Sequence, residues 1–177
     1  MLLKAAVLVA LKITIVVYNS EAVPGRDLAR AEILAGRILR QAGLEIVWRQ
    51  ATHADTASRP TEIPLHLLTA HPANLGPEAS GFAVLMPEGS YAGVSCPDVT
   101  RTASSVGSDD ATVLGAVIAH EVGHVLLDSR DHSPSGVMVM HFGPHEIEAA
   151  GRGELRFLGS EARRIRAEAA RRATIPR

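Results

Sequence analysis

Hydrophobic and polar positions along the chain alternate between short β-branched runs and longer stretches with helical spacing. Ile13 to Tyr18 is rich in β-branched residues and predicts a buried strand. Pro24 and Gly25 follow, and proline suits a first helical turn. Leu28, Ala31, Ala35, Ile38, Leu39 and Ala42 then recur at helical spacing, with Gly43 well placed as the C′ residue. Leu44 to Trp48 predicts a second strand. A strand–helix–strand crossover of this length implies a parallel pair and an α/β layer.

Ala51 to Glu62 is polar and reads as a surface loop. Ile63 to Thr69 is a third strand candidate, weakened by Pro64, and His71 to Ser80 reads as a connection. Gly81 to Met86 predicts a short strand, Pro87 to Ser90 a turn, and Tyr91 to Cys96 a fifth strand. The last two strands form a hairpin, so one runs antiparallel to its partner. Asp98 to Gly107 is expected to be a lead-in to the next helix. That helix is announced by Ser108 as N-cap, Asp109 and Asp110 at the positive end of the dipole, and apolar Ala111 to Ala119. After Met138 an irregular stretch runs to His145. Two helical pieces follow: Glu146 to Ala150, broken by Gly151 and Gly153, and Ser160 to about Arg172. The arginine face of the last piece reads as solvated.

The apolar helix carries His120-Glu121-Val122-Gly123-His124, an HExxH pattern. Residues i and i+4 lie one above the other on a helix, so His120 and His124 can offer two imidazoles to one Zn²⁺. Glu121 sits one step round, within reach of a water at the metal, as a general base needs. A catalytic zinc takes a third protein ligand and leaves a fourth position open. His132 is the candidate. A helix ending near Asp128 is roughly 6 Å past His124, and the four residues beyond it span at most about 13–14 Å, so the loop can double back. Glu146 and Glu148 are the alternative third ligands. His53, His66 and His71 have no partner at metal spacing and are expected to be surface or half-buried histidines.

Length and composition narrow the class. The 177 residues, 46% hydrophobic and 21% charged, suit one globular domain, placed over residues 12–177. A formal net charge of −1 and 3% aromatics argue against a nucleic-acid partner. Cys96 is alone, which removes an intrachain disulfide framework and any cysteine-rich zinc site. Residues 1–11 read either as a short export signal or as the start of the first strand. Lys12 interrupts the apolar run, which is too short for a transmembrane helix, and stable membrane insertion is not expected. An extracytoplasmic location is favoured over a cytoplasmic one.

The order of elements, with the HExxH helix and a following Met in Gly136-Val137-Met138, resembles the metzincin clan of zinc metallopeptidases. In the clan the motif is HExxHxxGxxH followed by a turn whose Met lies beneath the zinc. His120, Glu121 and His124 match in register, and Gly123 is common in the clan at that place. Leu127 stands where the motif has Gly, Arg130 stands where it has the third His, and His132 comes two residues later. The resemblance implies a metzincin-like α/β (α+β) fold. Its twisted, mixed five-stranded sheet would have one antiparallel edge strand, two main packed helices including the HExxH helix, and a C-terminal helix. It also implies one Zn²⁺ per chain and a peptide or protein substrate laid along Gly81, Phe82, Ala83 and Val84. Met138 is the Met-turn residue, with Met140 competing. Some clan members steady the oxyanion with a Tyr after the Met-turn. Here Tyr18 and Tyr91 both precede it, leaving His141 or His145 as substitutes. The alternative to a zinc metalloendopeptidase is a non-catalytic zinc-containing binding module.

Overall fold

The computed structural model describes residues 11–52, 55, 59–87 and 89–175. Residues 1–10, on which the export-signal reading turns, and His53 lie outside them. Five strands and five helices follow in the order β1 (Leu11–Asn19), α1 (Gly25–Gln41), β2 (Leu44–Gln50), β3 (Glu62–Leu68), β4 (Gly81–Val84), β5 (Tyr91–Ser95), α2 (Cys96–Val106), α3 (Asp110–Leu127), α4 (Pro144–Arg152) and α5 (Gly159–Thr174). The strands form one mixed sheet in the order β2-β1-β3-β5-β4. All neighbours are parallel except β4, which runs antiparallel to β5 at the edge.

Alternation along the strands sorts the two faces. Ile13, Ile15 and Val17 of β1 lie level with Ile63 and Leu65 of β3, and all are buried. This face is covered by α1 and α3, which pack against each other. Leu28, Ala31, Leu34, Ala35, Ile38 and Leu39 of α1 meet an α3 whose apolar positions run right round it. An all-round apolar helix belongs inside a protein. Although α3 is long and apolar enough to cross a membrane, 89% of that span is buried in the fold. On the other face Tyr18 stacks on His66 at 4.5 Å between ring centroids, and Tyr91 meets His66 edge-on at 5.4 Å. His66 is thus the half-buried histidine expected, with burial lowering its pKa.

Several local expectations change. The stretch read as a lead-in is helix α2, and Cys96 opens it instead of ending β5. Pro97 falls in its first turn, where its missing N–H costs nothing, and Gly107 ends it in the left-handed region at φ 69°. The cap of α3 is Asp109, not Ser108: the Asp109 carboxylate accepts the Thr112 N–H at 3.1 Å. Gly151 is absorbed into α4, which runs on to Arg152. The basic face of α5 is only partly a solvated surface. Arg164 donates to the Leu127 carbonyl (2.8 Å) and Arg166 to the Ala42 carbonyl (2.9 Å). These guanidinium groups satisfy carbonyls that α3 and α1 leave open at their C-terminal ends.

Candidate metal centre

The site is built on the last turns of α3. Leu127, at the position of the motif's glycine, is still helical, and the left-handed residue is the next one, Asp128, at φ 46° and ψ 48°. Aspartate tolerates that conformation better than most side chains. The chain reverses there, and the Ser129 carbonyl comes back to accept a hydrogen bond from His124 Nδ1 at 2.7 Å. A second return places the Val137 carbonyl 2.8 Å from His120 Nδ1. Val137 is itself fixed, because its N–H donates to the Arg156 carbonyl at 3.0 Å.

These two bonds settle the protonation of both rings. A carbonyl oxygen can only accept, so each Nδ1 carries the proton and each neutral ring presents a bare Nε2. Burial holds both rings neutral: the His120 pKa falls to about 3, and that of His124 is lowered from its ordinary value. The two Nε2 atoms lie 3.0 Å apart. With no proton between them this is a contact of two lone pairs, repulsive unless a cation is shared. Two ligands of a tetrahedral zinc are separated by about 3.3 Å, by the Zn–N length and the tetrahedral angle. The third histidine joins them. One ring nitrogen from each of His120, His124 and His132 lies within 4.8 Å of the others. His132 comes from the exposed loop, while His120 and His124 are buried. These three residues can hold a metal ion.

Glu121 is 5% exposed and has no hydrogen-bond or ion-pair partner among the described residues. Burial raises its pKa to about 8. Its carboxyl group abuts the start of β4, where a Cβ on Gly81 would come within 2.6 Å of Oε1. A glycine is therefore required to let strand and carboxylate meet. Beneath the helix, Gly123 plays the same part: a Cβ there would lie 2.7 Å from Met138 Sδ. Met138 is 1% exposed and Met140 is 64% exposed, so Met138 is the methionine buried against this turn of α3.

A cleft of about 720 Å³ opens over these groups. His120, Glu121 and His124 line it, together with Ser80 and all four residues of β4, and with Arg130, His132 and His141 on the loops after α3. Because β4 is the edge of the sheet, one side of its backbone is bonded to β5 and the other pairs with no strand among the described residues. His141 lines the cleft, whereas His145 is exposed and lies 3.2 Å from Glu146. Glu146 accepts the Gly143 N–H at 3.1 Å and Glu148 pairs with Arg152 at 3.1 Å; neither joins the histidine cluster.

One network escaped the sequence reading. Asp98, 1% exposed, accepts His71 Nδ1 at 2.6 Å and pairs with Arg101 at 2.5 Å. His71 Nε2 reaches the Leu75 carbonyl at 3.1 Å, and Arg101 donates to the Pro77 carbonyl at 2.8 Å. The cleft-lining segment before β4 is thereby tied to α2. The signal was present in Ser95-Cys96-Pro97-Asp98, with Pro and Asp in a first helical turn and Gly107 as its stop.

No protein-family model matches the chain, and no curated protein matches it.

Proposed function

We propose that this protein is a zinc-dependent metalloendopeptidase of metzincin-like type, hydrolysing peptide bonds with Glu121 as general base. The observation that carries the reading is the pair of bare, buried Nε2 atoms of His120 and His124, 3.0 Å apart and completed by His132. Three neutral imidazoles favour zinc over the oxygen-seeking divalent cations. When bound there, zinc supplies Lewis acidity and makes water acidic enough to lose a proton near neutral pH.

The protein groups have separable roles. The Val137 and Ser129 carbonyls orient His120 and His124 and fix their tautomers. Glu121, without a partner among the described residues, would be ionised by the charge of a cation held at the three histidines, against the burial that raises its pKa, and so accept the proton of the attacking water and return it to the leaving amine. The open edge of β4 beside the cleft favours an extended peptide paired strand to strand, with the scissile carbonyl over Glu121. Replacing Glu121 by Gln tests the assignment: bound metal is retained and peptide hydrolysis is lost. Undiminished cleavage by Glu121→Gln contradicts it.

A further inference from the structure

We propose that Arg130 selects substrates by binding a carboxylate close to the scissile bond, either an Asp or Glu side chain or a peptide C-terminus. The proposal rests on the peptidase reading above. Arg130 is the lone Lys or Arg among the described residues that line the cleft. Its backbone is held from both sides: the preceding Ser129 carbonyl accepts from His124 Nδ1, and His132, two residues on, belongs to the histidine cluster. The guanidinium is therefore carried on a loop fixed to the candidate metal centre.

Among the described residues Arg130 makes no hydrogen bond and no ion pair. Its neighbour Asp131 forms no ion pair with it; Asp131 Oδ2 takes the Ser129 hydroxyl at 2.9 Å, and the Asp131 N–H donates to the same hydroxyl oxygen at 3.1 Å. Elsewhere in the fold Arg101, Arg152 and Arg171 each hold a carboxylate. An unpaired cation in the same cleft as a divalent metal is relieved by an incoming anion, and the planar guanidinium takes a carboxylate through two parallel bonds. Among the described residues that line the cleft, the carboxylate besides Glu121 is Glu78, on the segment before β4, and it makes no ion pair with Arg130.

The test separates this role from catalysis by measuring binding as well as cleavage. Glu121→Gln, metal-loaded, is titrated with octapeptides that are acidic or neutral near the centre, each with a capped or a free C-terminus. Acidic or free-terminus peptides are expected to bind roughly ten- to hundred-fold tighter than neutral capped ones, the range of one charge-assisted contact. The preference is expected to disappear in Glu121→Gln/Arg130→Gln, to survive in part with Arg130→Lys, and to turn towards Lys-containing peptides with Arg130→Glu. The capped and free arms tell a side-chain carboxylate from a terminal one. Equal binding of all peptides, or a preference that survives Arg130→Gln, overturns the proposal. Absence of cleavage by the metal-loaded wild type, with the binding preference intact, overturns the peptidase reading and with it substrate selection, and leaves Arg130 as a carboxylate-binding residue only.

Discussion

Met138 lies against Gly123, its Sδ 2.7 Å from the point that a Cβ on the glycine would occupy. The contact falls between the two helical histidines, so the methionine sets the surface on which that turn of α3 rests. Phe157 closes the same space from a second side, with a ring carbon 2.8 Å from the same point. Gly123→Ala forces apart side chains that have nowhere to go. The expected cost is about 1–3 kcal/mol, the usual range for overpacking a core, read from urea denaturation of the metal-free protein. A change below about 0.5 kcal/mol, the level of an ordinary surface substitution, would mean that the turn and helix are not in contact.

Gly81 bears on chemistry more than stability. A methyl group there meets Glu121 Oε1 and Cγ at 2.6 and 2.7 Å. Gly81→Ala should displace the carboxylate and lower kcat by roughly a hundred-fold, as a misplacement near 1 Å does, while zinc content stays at the wild-type level. Unchanged kcat in a folded Gly81→Ala protein would show that Glu121 is not the base.

The His71–Asp98 pair predicts a pH dependence of stability. Both ring nitrogens of His71 face acceptors, the Asp98 carboxylate and the Leu75 carbonyl, so the charged ring makes both bonds. The Asp98 bond, then the Leu75 bond, raise the His71 pKa above its ordinary value of 6.5. A raised folded-state pKa gives stability that is complete below the unfolded pKa and is lost as pH rises through the folded value. Wild type should therefore lose stability relative to His71→Gln as pH rises above about 6.5, the unfolded histidine pKa. Denaturation of both proteins at pH 6 and pH 9 measures this, and parallel profiles would remove His71 from the linkage.

Much of this architecture was legible in the chain because burial leaves periodic traces. The β-branched run around Ile13–Val17 and the helical spacing of Leu28 to Ala42 correspond to β1 and α1, and Gly43 has the positive φ of 95° expected past a helix end. The HExxH spacing brings His120 and His124 together by helix geometry alone. What was not legible depends on chain reversals. The polar sequence of α2 hides a helix whose buried positions are Asp98, Val99 and Ala103, one of them charged and held by Arg101 a turn along and by His71 from a distant segment. Nothing local to Val137 or Ser129 says that their carbonyls will meet His120 and His124. The arginines of α5 read as solvent-facing until the carbonyl ends of α1 and α3 arrive beside them.

The proposed function requires His120, His124 and His132 together to hold one zinc ion. Elemental analysis of exhaustively dialysed wild type, Glu121→Gln and His132→Ala tests it most directly. One zinc per chain is expected in the first two. In His132→Ala, zinc is lost on dialysis, because two imidazoles do not retain a catalytic zinc. Wild type without zinc, or His132→Ala with a full equivalent, would contradict it.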